Sequence, residues 1–326
     1  MIHSSIPRRD ALPSEFELHE RFIMLRSLAL STMCLALCTG LASAEEVTLK
    51  AKFKEGSKVV AQRETKTTQT LTLAGMDIDT KSTAFIVSGT SIGERAADGT
   101  LKIEEKTESL QTEVTLPGVS IQFDSANPDK KAAVEQLEPI LDIFRAVLRL
   151  PITIELDANN QLKAVKLPDG EFEKLSEAAQ SHFNPESLKK AVEQAMAFLP
   201  EGPVKKGDTW ERSSESNLGS GQVMSFRTKY EYQGTVQQDG ETLDKITGKA
   251  FDVNFAINGN PMLQVTKSDL KVINSESTYL FNREKGYAAS QSSKIQIAGP
   301  LTLVINGTTL PGKVDLTMEE KNTRQK

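Results

Sequence analysis

Residues 127–150, NPDKKAAVEQLEPILDIFRAVLRL, hold the plainest periodicity in the chain. Asn127 and Pro128 offer an N-cap and a proline at the first helical position. Val134, Leu137, Leu141, Phe144 and Leu148 then recur at three- and four-residue spacing, which places them on one face of a helix. Ile140, Ile143 and Val147 widen the stripe. A helix this apolar needs a broad surface to cover, and strand-patterned sequence lies on both sides of it.

Moving outward, 152–156 and 162–167 read as a short hairpin around a turn at 157–161. The turn has the look of a calcium loop at Asp157 and Asn159. Gln161 takes the fifth place, Leu162 the sixth where glycine is needed, and the closing glutamate is missing, so it is read as a plain turn. Two further helices are expected at 171–183 and 185–199, the second capped by Asn184. Pro200-Glu201-Gly202-Pro203 closes this helical region.

Upstream of it, Val47, Leu49, Ala51 and Phe53 alternate with polar residues, the period of a strand with one wet face. Strands are expected at 57–73 and 83–88, where Thr83, Phe85 and Val87 share a face. Asp98-Gly99 signals a hairpin into 101–116. In that last strand Leu101 and Ile103 have odd parity while Leu110, Val114 and Leu116 have even parity. A one-residue slip flips every side chain, so a bulge is predicted between Glu104 and Ser109.

Downstream, Lys205-Lys206-Gly207-Asp208-Thr209-Trp210 opens another strand. Met224, Phe226, Tyr230 and Tyr232 share one parity, Asp239-Gly240 marks a hairpin, and Phe251, Val253, Phe255 and Ile257 alternate. Further strands are expected at 263–267, 270–273, 278–282, 287–297, 301–305 and 314–318, with 319–326 charged and frayed.

The expected fold is therefore α+β: a large curved, mainly antiparallel β-sheet, half-barrel-like, packed on a central helical segment. The two strand-rich halves share turn chemistry, Asp98-Gly99 echoing Asp239-Gly240, which leaves open whether they are a duplication. Within the 326 residues, 45–126 is the first strand-rich half, 127–200 the helical segment and 201–326 the second half, with 45–326 one structural domain.

The N-terminus reads as an address. Arg26 is followed by an apolar run at 27–41, then Ala42-Ser43-Ala44 before Glu45-Glu46, the three parts of a signal peptide. The run of about fifteen residues is short for a membrane span, which needs about twenty. The expectation is a signal peptide at 24–44 cut between Ala44 and Glu45, a mature chain without a transmembrane span, and export to the periplasm or beyond. Residues 1–23 carry Arg8, Arg9, Asp10, Glu15, Glu17, Glu20 and Arg21 and are read as lying ahead of a true start at Met24; a long charged n-region is the alternative. Cys34 and Cys38 both fall in the apolar run, with Met33 and Leu37 where lipoprotein processing would want a small residue. The mature chain is then cysteine-free and held by its core rather than by disulfides.

Composition excludes several functions. The net charge of -5 is mild and no basic block occurs, which argues against nucleic acid as a partner. Gly89-Thr90-Ser91-Ile92-Gly93 matches a nucleophile-elbow pattern, but the residues after it lead to a hairpin rather than a helix. The single histidine after residue 44, His182, falls near the end of an expected helix, where a cation suits the dipole. One histidine and no cysteine make a zinc site improbable, and Asp77 with Asp79 reads as a solvated turn. Glu104-Glu105 and Glu319-Glu320 are adjacent, so on strands each pair splits across two faces. Trp210 reads as a core anchor. No catalytic residue, metal or cofactor is expected.

Lys206-Gly207-Asp208-Thr209-Trp210, with the strand–turn–strand at 152–165 after an apolar helix, resembles an uncharacterised family of bacterial secreted proteins that carries a domain of unknown function. The resemblance implies export and a β-rich domain, and brings no activity. The curved sheet with helices is also similar, at the level of fold, to periplasmic lipoprotein carriers. Two functional readings follow. One is a non-enzymatic carrier or sensor of a lipid-like or apolar ligand, with Leu137, Leu141, Phe144, Leu148, Phe226 and Tyr230 as its ligand-facing or core residues. The other is a structural or interaction component of the cell envelope, whose partners are envelope proteins.

Overall fold

The computed structural model describes residues 45–219, 222–257 and 263–325. The expected signal peptide, its upstream extension and Ala44 lie outside them; Glu45 is the first described residue and is exposed.

Among the described residues thirteen strands form one antiparallel sheet. In chain order they are β1 (Lys58–Leu73), β2 (Met76–Ile92), β3 (Leu101–Leu116), β4 (Val119–Asp124), β5 (Ile152–Leu156), β6 (Leu162–Lys166) and β7 (Thr209–Gly219). β8 (Gln222–Gln238), β9 (Glu241–Ile257), β10 (Leu263–Ser268), β11 (Lys271–Asn282), β12 (Tyr287–Ile305) and β13 (Thr308–Arg324) complete it. The order across the sheet is β6-β5-β3-β2-β1-β13-β12-β11-β9-β8-β7, so the first and last strands pair in the middle and both outer edges come from around the helical segment. The sheet is curved and open, the α+β half-barrel read from the pattern. β4 pairs the far part of β3, and β10 continues the line of β11 along β12.

The helices are α1 (Glu138–Arg149), α2 (Glu177–His182) and α3 (Pro185–Ala195). The expected start of α1 at Asn127-Pro128 is wrong. Proline inside a helix lacks the N–H and clashes with the carbonyl four residues back, so Pro139 is placed in the first turn instead. Residues 128–132 form a strap tied back onto α1. Arg145 donates to the carbonyls of Pro128 (2.8 Å) and Lys130 (2.9 Å), while Glu138 accepts from the Ala132 N–H at 2.8 Å. The second helix is shorter than expected and starts at a Ser176 cap; the Asn184 cap of α3 is present, accepting from the N–H groups of Glu186 and Ser187.

The predicted bulge in β3 is there. Val87 pairs with Ser109 and Ser88 with Thr107, leaving Glu108 as the extra residue. A bulge that the pattern did not signal sits in β9: Arg227 pairs with Asp252 and Thr228 with Ala250, so Phe251 is unpaired. It turns outward, 46% exposed, under the Arg227 guanidinium at 4.8 Å, rather than sharing the face of Val253. The separate strands expected at 270–273 and 278–282 are one strand, as are 287–297 and 301–305. Residues 319–324 are not frayed: β13 runs to Arg324, which pairs with Ala61.

The apolar side chains collect into several clusters. α1 lays Leu137, Ile140, Leu141, Phe144 and Leu148 on Ile86, Leu110, Ile121 and Phe123, and α2 closes over its other side through Ala179 and Phe183. α3 lies against both terminal strands, β6 and β7. Its Gln194 side chain accepts from the Glu215 N–H of β7 at 2.9 Å, and Lys190 pairs with the Glu215 carboxylate at 2.9 Å. An otherwise open strand edge is thereby covered.

Candidate functional site

Residues directly paired across neighbouring strands share a face, so the face that α1 covers can be followed across the sheet. Leu110 pairs with Ile86, Ile86 with Arg63, Arg63 with Asn322, and Asn322 with Gln291. Gln291 then pairs with Tyr279, Tyr279 with Ile246, and Ile246 with Tyr232. This inner, concave row is apolar at both ends and polar in the middle. The next row carries small side chains: Ala84, Thr65, Ser293 and Ser277, with Glu320 among them and Gly248 beyond.

Along the strands, the same face becomes apolar toward the hairpin tips. In β13 it passes to Met318, Leu316 and Val314, in β1 to Leu71 and Leu73, and in β12 to Ile295, Ile297, Leu301 and Leu303. These residues join Met224, Phe226, Val253 and Phe255 in one cluster. Met224, Val253, Ile297, Leu301, Leu303, Val314 and Leu316 are buried within it, while Leu71, Leu73, Phe226, Phe255, Ile295 and Met318 are partly covered. Met76 and Ile78, paired with Leu73 and Leu71, extend the face, and Met76 is 69% exposed. α1 packs on β3 and α3 on β6 and β7, so the principal helix contacts lie away from this half of the inner face, whose buried residues are covered by one another.

At the β8–β9–β11 side lies an aromatic wall. Phe198 stacks on Tyr279 with centroids 4.4 Å apart, Trp210 stacks on Tyr230 at 5.9 Å, and Phe281 meets Phe198 edge-on at 6.2 Å. Burial pushes the Tyr230 and Tyr279 phenols above their ordinary value. Beside the wall, Tyr232 donates to Asp244 at 2.6 Å and Arg283 clasps the same carboxylate, its Nε 3.0 Å away; Asp244 is 2% exposed. The Tyr232 phenol is raised by burial and by the Asp244 charge.

Two clefts open elsewhere. One of about 990 Å³ lies along β2, β3 and β4 and is bounded by residues 126–130, with Phe85, Glu113 and Asp124 in its lining. The other, about 690 Å³, separates the 128–129 strap from α1 and α2 and is lined by Arg145, Arg149, Lys174 and Ser176.

The apolar candidates read from the sequence are dispersed. Leu137, Leu141, Phe144 and Leu148 pack together on β3 and β4, and Leu141 is wholly core at 2% exposure. Phe226 belongs to the apolar half of the inner face and Tyr230 to the aromatic wall. The β13 and β12 residues of the inner face were read as strands but not as site residues, although the alternation of Ile295, Ile297 and of Val314, Leu316, Met318 carried the signal. Ser91 sits within β2 opposite Glu104, so the Gly89–Gly93 segment continues a strand and forms no strand-to-helix elbow. His182 ends α2; the pattern placed it near a helix end.

The strand opening at Lys206-Gly207-Asp208-Thr209-Trp210 and the β5–β6 hairpin after α1 both lie within a stretch that matches a family model. Residues 98–243 match DUF6263, a family of unknown function. The DUF6263 segment holds β3 to β8, all three helices and both outer edges of the sheet. A search of curated proteins found no match. Among solved structures, lipovitellin, described by its lipid–protein interactions, is similar over 84% of this chain, with 10% identity and a TM-score of 0.46. The chain spans about a quarter of it, 26%. DynF of the dynemicin biosynthesis pathway of Micromonospora chersina is similar over 86% of both chains, with 9% identity and a TM-score of 0.21. A DUF1329 family protein from Desulfovibrio piger is similar over 78% of this chain and 83% of its own, with 8% identity and a TM-score of 0.13. All three scores lie below 0.5, so the functional reading rests on this chain's own geometry.

Proposed function

We propose that this is an exported, non-enzymatic binding protein that carries or senses an apolar ligand on the concave face of its sheet. One observation carries the reading: the apolar half of that face, from Leu71 through Met318 and Ile295 to Phe226, is only partly covered and lies away from the helices. Partly exposed apolar surface of this kind is costly in water and suits the binding of something apolar. The helix stripe is spent on its own core and takes no part in binding. Export follows from the signal-like 24–44 segment.

Native mass spectrometry of the chain, purified gently from a bacterial host, tests the reading. Extra mass that organic extraction removes is the expected result. A bare chain that also takes up no added apolar ligand would contradict it.

A second reading, an interaction component of the envelope, has its own support in the 990 Å³ cleft. Among the described residues β4 has no strand partner beyond β3, and Phe85, 39% exposed, lines the cleft beside it. Crosslinking from position 85 in cells would capture a defined envelope protein on that reading, and nothing specific on the first.

A further inference from the structure

The inner face changes character along its strands, at one level in β12 and β13 and nearer the hairpin tip in β1. β13 passes from Met318 to Glu320, Asn322 and Arg324; β12 passes from Ile295 to Ser293 and Gln291; β1 passes from Leu71 through Gln69 and Thr65 to Arg63. One half is apolar, the other polar with cations in it. Arg63 has an anionic neighbour, its Nε 3.9 Å from Glu320.

Arg324 differs. Its guanidinium lies over the Tyr287 ring, 4.3 Å from the centroid, in a half-buried position. No hydrogen bond or ion pair reaches it among the described residues; Tyr287 and then Glu105 act on it electrostatically, and burial outweighs both. Burial holds the Arg324 pKa below its ordinary value, the mark of a cation that has given up water without a matching partner. Five N–H donors on a planar fork are left for something not in the chain.

We propose that Arg324 is the head-group contact of the concave face, and that the ligand is an amphiphile with an oxyanionic head, a carboxylate or a phosphate. The inference rests on the apolar-ligand reading above and adds to it the charge and length of the ligand. The guanidinium fork matches either oxyanion with paired hydrogen bonds, and stacking on Tyr287 sets its plane in advance. From Arg324 to Met318 is six residues of strand, ~20 Å. One acyl layer of a membrane is ~15 Å, half of the ~30 Å hydrocarbon core. A long acyl chain with its head group at Arg324 therefore comes close to the Met318–Ile295 level, and a short-chain acid stops well short of it.

The test is calorimetric titration of the delipidated full chain with palmitate, its methyl ester, a lysophosphatidic acid of the same chain length, and inorganic phosphate. Each is run on wild type, R324Q and R324K, with circular dichroism as the folding control. Palmitate or the phosphate-headed lipid is expected to lose at least tenfold in affinity in R324Q, while the methyl ester binds both proteins equally; whichever head loses more is the natural one. Phosphate bound through Arg324 with no gain from an acyl chain would overturn the amphiphile and leave a small-anion site. Palmitate and ester bound alike and unmoved by R324Q would overturn the role of Arg324 while sparing the apolar-ligand reading. Failure of wild type to bind any of the acyl compounds would overturn both. Should R324Q fail to fold, R324K, which keeps the charge and loses the fork, is read the same way: palmitate weakened with the ester unmoved supports the proposal, and no difference overturns it.

Discussion

Asp244 and Arg283 show what single residues contribute here. Asp244 is buried with its charge, and Tyr232 and Arg283 satisfy its oxygens. Removing one partner of such a pair strands the other without solvent, at a cost of about 3–5 kcal/mol. Arg283→Ala, which strands the buried carboxylate, should therefore lower stability by that order in urea unfolding, and Tyr232→Phe by about 1.5–3 kcal/mol, as for a hydrogen bond to a charged group. Glu138 acts through pH. The Ala132 N–H it accepts, then Arg145 and Lys131, hold its carboxyl at about 2 against an ordinary 4.5. A depressed folded pKa contributes stability that is complete above the unfolded value and lost as pH falls toward the folded one. Stability should thus fall between pH 4.5 and 2, and Glu138→Gln should be less stable at neutral pH with a flatter acid limb in thermal melts. Neither network was legible beforehand. Side chains from Tyr232, Asp244 and Arg283 meet only once three strands are in register, which no local pattern encodes.

At the scale of elements, turn chemistry was the most legible signal. Asp239-Gly240 forms the two-residue connection between Gln238 and Glu241, with φ of 49° and 79°. That geometry is left-handed at both positions, so Gly240→Val should cost about 1–2 kcal/mol in chemical unfolding. Asn306-Gly307 is the same turn, with φ of 49° and 80°, and went unread because the flanking strands looked broken. The apparent break was Gly299-Pro300. In the fold Pro300 faces the gap between β10 and β11, where Asp269 donates to its carbonyl and no ladder N–H is needed. A proline that would end a central strand is harmless at such a gap. The charged 319–324 segment misled for a related reason: both of its faces are polar, so alternation gave no sign of pairing. α3 makes a prediction of its own. Gln194→Ala frees the Glu215 N–H of β7, and should lower stability by about 1 kcal/mol and raise self-association in sedimentation velocity.

At the scale of the molecule, the sheet as a curved antiparallel surface was legible from period-two alternation and from the parity change in β3. Its strand order was not, since nothing local says that β1 and β13 pair in the centre. The helix stripe was the strongest apolar signal, and Leu137, Leu141 and Phe144 pack as core, whereas the partly covered surface that includes Phe226 is assembled from β1, β8, β12 and β13. An apolar-ligand carrier needs that surface to be accessible and specific. The direct measurement is titration of an environment-sensitive apolar fluorophore into wild type, Phe226→Gln on the inner face and Phe85→Gln at the β4 cleft. Saturable binding by wild type, unchanged in Phe85→Gln and weakened about tenfold in Phe226→Gln, is the predicted result, the lost contact being worth about 1.4 kcal/mol. Equal binding by all three, or none by wild type, would contradict the assignment of the concave face.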